Sequence, residues 1–556
     1  MRIDFTADLW WKNAVFYCLD VETFMDGDGD GCGDFTGLIQ QIDYIAGLGV
    51  TCIWLMPFYP TPNRDDGYDI TDYFAVDPRL GTLGDFVEFM RVANDRGLRV
   101  IIDLVVNHTS DEHPWFQAAR SSPGSPYRDY YVWRKEKPAE PPGSVAFPGE
   151  ETSIWQRDRR AGAYYLHHFY RYQPDLNIAD ARVRDEIAKI MGFWLHQGVS
   201  GFRVDAVPAL LQVENRSEAP DFDPQAYLRE LRSFMGRRAG ETMWLGEANV
   251  EPDEERRFFG GDEGDALNML FNFIVMQAVY LSLARGSAEP LEEALRRLPK
   301  IPKDTQWANF LRNHDELTLD KLTVSQREEV FAAFGPEPGM QLYGHGLRRR
   351  LAAMVDGDQR RLRMLFSLVF SLPGTPVLFY GDEIGMGENL SLHDRLAVRT
   401  PMQWTAGPTG GFSNAAASQL VRPVAQGQFG PDGANVSDQR GDPESQLEFV
   451  SRLIRRRRET PEFGWGTWQL VASRAPTLFV HRCDWQESTV IAAHNLGSGR
   501  ATVALDPELL GECEAIDDLL AECTLEPHDD GSLRLALGGY GYRWLRVRRP
   551  GQHPRF

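Results

Sequence analysis

Cysteine is scarce in this chain. Its six residues, Cys18, Cys32, Cys52, Cys483, Cys513 and Cys523, include no C-x-x-C pair, so neither a disulfide framework nor a zinc motif is legible. Positive charge is also in deficit. The formal net charge is −21 over 556 residues, which argues against nucleic acid and anionic membranes as partners, since both demand a basic face. No uninterrupted apolar stretch approaches the ~18 residues of a membrane span. The amino terminus, Met1-Arg-Ile-Asp-Phe-Thr-Ala-Asp8, lacks the basic-then-apolar order of a secretory signal. These absences predict a cytoplasmic protein that acts on a small neutral molecule without membrane or nucleic-acid partners. They leave homo-oligomerisation open.

What the chain does have is apolar material for a large core, 42% of its residues, arranged with a regular rhythm. Short apolar runs alternate with amphipathic helical segments through about residue 450. The strand candidates are Ala14–Tyr17, Thr51–Met56, Val100–Val105, Gly201–Asp205, Met243–Glu247, Ala266–Phe271, Ala308–Leu311 and Pro376–Phe379. Helices are expected over Leu38–Gly47, Leu83–Arg96 and Val183–Gln197, from apolar residues at i, i+3, i+4 spacing. Eight strands with intervening helices predict an α/β fold, a (β/α)8 barrel. The barrel is assigned to 1–108 and 176–458. Residues 109–175, rich in Pro, Gly, Tyr and Trp, read as an inserted substrate-covering domain. Alternating segments such as Thr489–Ala493 and Tyr542–Val547 predict a C-terminal antiparallel β-sandwich over 459–556.

Three acids stand at or near the ends of apparent barrel strands: Asp205 after Gly-Phe-Arg-Val, Glu247 after Trp-Leu-Gly, and Asp315 in Arg312-Asn-His-Asp315. Acids at the carboxyl rim of a barrel read as chemistry, because stability alone rarely gathers charge there. Arg203 and Asp205 lie two apart on one strand and share a face, so a guanidinium would keep Asp205 ionised as a nucleophile. Glu247, reached through apolar residues and near a second acid, suits a general acid. His314 beside Asp315 could hold two hydroxyls of one sugar; a metal site is the rival, without a second His or Cys at ligand spacing. His108, which could reach a sugar hydroxyl, closes Asp103-Leu-Val-Val-Asn-His108, where Asp103 reads as support for Arg203 or for the nucleophile.

Asp26-Gly-Asp-Gly-Asp-Gly-Cys-Gly-Asp34 alternates acids with glycines. Asp26, Asp28, Asp30 and Asp34, with the Cys32 carbonyl, could surround a structural Ca²⁺. No Glu occupies the twelfth position of an EF-hand, and a metal-free loop of Asx turns is the alternative. No cofactor is expected for the chemistry itself.

Together these ordered motifs resemble glycoside hydrolase family 13, the α-amylase family, over nearly the whole chain. Within it they are most similar to the group holding oligo-1,6-glucosidases and trehalose synthases. Gln173-Pro-Asp-Leu-Asn177, Tyr164-Tyr-Leu-His-His-Phe169, Asp65-Asp-Gly-Tyr68 and Arg399-Thr-Pro-Met-Gln-Trp404 carry that likeness. The resemblance implies a retaining α-glucosyl enzyme with Asp205 as nucleophile, Glu247 as acid/base and Asp315 gripping ring hydroxyls. It implies sugar-positioning roles for His108, Arg203, His314 and Phe169. It also implies that Asp65 and Arg399 pair across the pocket floor and that Tyr68 stacks on the glucose face. Arg312–Leu319, Leu347–Leu351, Gly381–Gly387 and Asp394–Arg399 look like trehalose synthase, whereas Leu211–Pro220 and Ala248–Pro252, expected on the acceptor side, depart from that pattern. The expected reaction is isomerisation of maltose to trehalose by intramolecular glucosyl transfer. Hydrolysis or transfer from maltose, sucrose or isomaltose-type sugars is the alternative, and a non-catalytic family member the remote one.

Overall fold

The structure, a computed structural model, describes residues 7–141, 143–212 and 222–553. Eight parallel strands close into a barrel: β1 (Phe16–Leu19), β2 (Cys52–Leu55), β3 (Arg99–Leu104), β4 (Gly201–Val204), β5 (Met243–Gly246), β6 (Met269–Phe271), β7 (Gln306–Asn309) and β8 (Thr375–Phe379). Each pairs with its neighbours in sequence, and β8 returns to β1. Nearly every barrel-strand residue is buried, because helices cover the outside while side chains fill the interior.

All eight expected strands are present, with shifted bounds. β1 starts two residues later than Ala14 and β6 three residues later than Ala266. Ala14, Val15, Ala266 and Leu267 are buried, so hydrophobicity marks them for the core, but they precede the ladder. β7 ends at Asn309, and Phe310–Asn313 remain buried outside it; Asp315 therefore sits on a loop rather than on a strand tip. The helix expected over Leu38–Gly47 is two helices, Phe35–Gln40 and Ile42–Leu48, broken at Gln41. The other two run Leu83–Asp95 and Ala181–His196.

Two excursions build the rim. The segment after β3 holds the helix Pro114–Ser121 and a small antiparallel sheet of Trp133–Arg134, Trp155–Asp158 and Ala163–Leu166. A bridge between His108 and Asp175 pins its two ends together. After β8 the chain wanders through turns to Asn435 before the helix Gln446–Arg458. The C-terminal region forms a six-stranded and a two-stranded antiparallel sheet, with Leu478, Ile491, Val503, Leu537 and Leu545 in the core between them.

Candidate active site

The carboxyl ends of the strands open into a pocket of about 360 Å³. Asp205, Glu247 and Asp315 line it, with Asp65, Tyr68, His108, Phe169 and Arg395. Three acids from three different strand ends or loops thus meet in one cavity. Arg203, His314 and Arg399 are buried behind them.

Arg203 is the hub. β3 and β4 pair with Asp103 opposite Arg203, and Nη1 donates to Asp103 Oδ1 and to Asp205 Oδ1, each at 2.6 Å. Nη2 donates to Glu247 Oε2. One planar fork thereby holds nucleophile and acid candidates on a common frame, a geometry a lysine could not supply. Ala206, directly after Asp205, takes left-handed backbone angles (φ 44°, ψ 47°). Such a conformation costs a non-glycine residue free energy and persists only where the surroundings impose it. Here it turns the chain into the short helix Val207–Leu210 and aims its N–H at Glu247 Oε2, 3.4 Å away.

Burial sets the proton affinities. Desolvation pushes Glu247 up to about 7, against the pull of Arg203 and with added repulsion from Asp205 and Asp315. Desolvation also raises Asp205, to about 6, with Arg203 opposing. Asp315 is also driven up by burial, but His314, Arg395 and Arg399 outweigh that and hold it well below the ordinary carboxylate range. Burial lowers His314 to about 4, so its ring is neutral at physiological pH. The pocket therefore keeps one readily protonated acid beside two that ionise more easily, the division of labour that acid-assisted displacement needs.

The pocket floor differs from the expectation. Arg399 does not pair with Asp65. Its Nη1 donates to Asp66 Oδ2 and its Nη2 to Asp315 Oδ1, both at 2.9 Å. Asp65 instead takes Arg395 Nη2 at 2.6 Å, and Arg395 Nη1 reaches Asp315 Oδ1 at 2.8 Å. Arg395 is not among the residues singled out from the sequence; it sits on a 3-10 turn, Asp394–Val398, that ends at Arg399, where i, i+4 spacing gives no shared face. Tyr68 stacks on His314, with ring centroids 5.5 Å apart and planes at 3°, and its hydroxyl lies 2.7 Å from His314 Nε2. Both ring nitrogens of His108 already have partners, Tyr68 O at 3.0 Å and Asn107 Nδ2 at 3.3 Å. Phe169 packs at the mouth near Phe147, Tyr170 and Tyr343. The Tyr170 and Tyr343 hydroxyls both donate to Asp394, tying the inserted segment to the loop that carries Arg395.

Residues on the other side of the pocket were not singled out from sequence: Asn249, Phe273, Glu316, Thr318, Asp320 and His345. Asn249 Nδ2 donates to Asp320 Oδ1 at 2.8 Å, while its Oδ1 is buried without a partner. Of the departing loops, Ala248–Pro252 sits here, and residues 213–220 lie outside the described residues.

Away from the pocket, Asp26, Asp28 and Asp34 bring carboxylate oxygens within 4.8 Å of one another. Asp30 and Cys32 fall outside that group. Asp26 and Asp34 also accept backbone N–H bonds from Gly29 and Gly37 at 2.6 Å, and Asp26 accepts from Ser413 Oγ at 2.5 Å. Three hard oxygen donors suit a divalent cation in charge and type, and the same atoms also serve the Asx-turn alternative.

A model described as the α-amylase catalytic domain matches residues 21–332 and 339–466. The chain belongs to the α-amylase family. A second model, described as a sucrose hydrolase-like C-terminal domain, matches 488–546. Trehalose synthase from Pimelobacter sp. is 38% identical over 97% of this chain and 96% of that one. Trehalose synthase/amylase of Mycobacterium tuberculosis is likewise 38% identical, over 97% and 90%. Among solved structures, isomaltulose synthase from Klebsiella sp. superposes with a TM-score of 0.77 at 26% identity, covering 97% of this chain and 99% of that one. The family expectation from sequence, the barrel and the trehalose synthase likeness are thus borne out.

Proposed function

We propose that this protein isomerises maltose to trehalose by a retaining double displacement. Glu247 protonates the glycosidic oxygen while Asp205 attacks the anomeric carbon from the opposite face. The C1–O bond breaks, glucose departs carrying the proton, and a β-glucosyl ester forms on Asp205. The freed glucose turns within the pocket and presents its anomeric hydroxyl. Ionised Glu247 takes the proton from that hydroxyl as its oxygen attacks C1, and Asp205 leaves with the ester electrons. Two inversions restore the α configuration.

The observation that carries this reading is the single guanidinium of Arg203 bonded to both Asp205 and Glu247. Such a bridge favours the short separation, roughly 5–5.5 Å, of retaining enzymes over the wider one that leaves room for water. Asp65, Arg395 and Asp315 form a charged floor suited to the hydroxyls at a chain end. Aromatic cover from Phe147 and Phe169 limits entry of water to the ester. We also propose that Asp26, Asp28 and Asp34 hold a Ca²⁺ that stiffens the loop after β1, and that the enzyme works in the cytoplasm on a free small saccharide.

Chromatography of products from maltose tests the reaction. Trehalose as the main early product supports it; glucose alone rejects the isomerase. A sucrose-type donor is the second reading, favoured by the sucrose hydrolase-like match over 488–546. Faster turnover of sucrose than of maltose would select it.

A further inference from the structure

Three acids, Asp20, Glu22 and Asp66, are buried behind the pocket floor with oxygens close enough to hold a cation. Arg79 reaches one of them, donating to Glu22 Oε1, and the cation that reaches all three is the side chain of Arg422, from the long excursion after β8. Its Nη2 donates to Glu22 Oε2 and to Asp66 Oδ1. Its Nη1 donates to the backbone carbonyl of Arg399 at 2.9 Å and lies 3.6 Å from Asp20 Oδ2. The other oxygen of Asp66 accepts from Arg399 Nη1, and Arg399 Nη2 bonds Asp315. An unbroken chain of charge-assisted bonds thus runs Arg422–Asp66–Arg399–Asp315. Arg422 grips Arg399 twice, through its carbonyl and through Asp66.

Asp66 has φ 53°, an uncommon angle for a non-glycine residue that the surroundings must over-determine. Arg422 and Arg399 each bond one of its two carboxylate oxygens. The same excursion also contacts the acidic loop, through Val421 N to Gly31 O at 2.8 Å and Ser413 to Asp26. It therefore packs where the loops after β1, β2 and β8 meet.

We propose that Arg422 is a positioning residue: acting through Asp66, it fixes the direction of the Arg399 guanidinium and so the orientation of Asp315 toward the sugar. The inference rests on the proposed α-glucosyl chemistry, in which Asp315 holds the ring. It gives the excursion of the chain after β8 a share in donor-site geometry, although Arg422 never touches the substrate.

The test is a double-mutant cycle, Arg422→Lys and Asp66→Asn, alone and together, on p-nitrophenyl α-glucoside and on maltose. Lysine keeps one charge among the three acids and loses the fork. Each single variant is expected to lower kcat/KM about tenfold, and the double variant to fall no further than the weaker single, because both break one relay. The inhibition constant of glucose should rise in parallel for all three, whereas a merely structural role would lower Tm and leave it unmoved. Independent, multiplying effects, or wild-type kcat/KM in folded Arg422→Lys, would overturn the relay. Wild-type enzyme that turns over neither substrate would instead reject the underlying function.

Discussion

The two ends of the pocket are built differently. The donor end is a lattice: Arg203, Arg395 and Arg399 each bond two or more acids, and Asp103, Asp315 and Asp66 each answer to more than one arginine or ring. The acceptor end is sparse. Asn249 and Thr318 each reach Asp320 once, and Glu316 and Asn249 both carry buried oxygens without partners. The donor end has unpartnered atoms as well, Arg203 Nε and His314 Nδ1, but its charges are cross-linked, and buried charges held in a network resist movement. Unsatisfied polar atoms beside a cavity can take bonds from a ligand instead. Choice of the glucosyl unit is therefore held by many cross-linked contacts, while choice of what receives it depends on few and is open to change.

The largest effect should come from the donor end. Asp205→Asn removes the nucleophile and should lower kcat by about 10⁴-fold or more with the circular dichroism spectrum unchanged; near-normal turnover would break the assignment. Arg395→Ala takes the arginine partner from Asp65 and one of two from Asp315, and kcat/KM for every α-glucoside should fall at least about 100-fold, as steady-state kinetics would read. A loss on maltose alone would place Arg395 on the acceptor side. The pH profile sharpens the contrast within the donor end. Asp205 must be ionised and Glu247 protonated, so kcat/KM should rise as pH climbs past about 6 and decline above about 7. Glu247→Gln should erase the alkaline limb from whatever activity remains, since glutamine has no proton to lose; an unchanged limb would move the acid elsewhere. The smallest effect belongs to the acceptor end. Asn249→Ala should change the ratio of trehalose to glucose about threefold to tenfold, with donor consumption nearly constant. An equal fall in both products would erase the distinction between the ends.

The reacting acids were legible because each follows an apolar run that can only be a barrel strand, as in Phe202-Arg-Val-Asp205 and Trp244-Leu-Gly-Glu247. Arg203 was legible for a similar reason, since period two puts it on the face of Asp205. The floor was not. Arg395 lies 330 residues from Asp65, and no local period reports on a contact made between the loops after β2 and β8. Asp66 and Arg422 were hidden in the same way, each an ordinary charge in its own stretch of sequence. Strand bounds drifted where burial outruns pairing, as at Ala266 and Leu267, because hydrophobicity records the core and not the ladder. The split at Gln41 escaped because both halves keep the same apolar face.

The most direct measurement is to trap the covalent intermediate. A 5-fluoro-α-glucosyl fluoride slows breakdown of a glucosyl ester, and peptide mass mapping locates it. Ester on Asp205, with Asp205→Asn unlabelled, is the expected result. Ester on another carboxylate, or inactivation without any ester, would contradict the double displacement around Arg203.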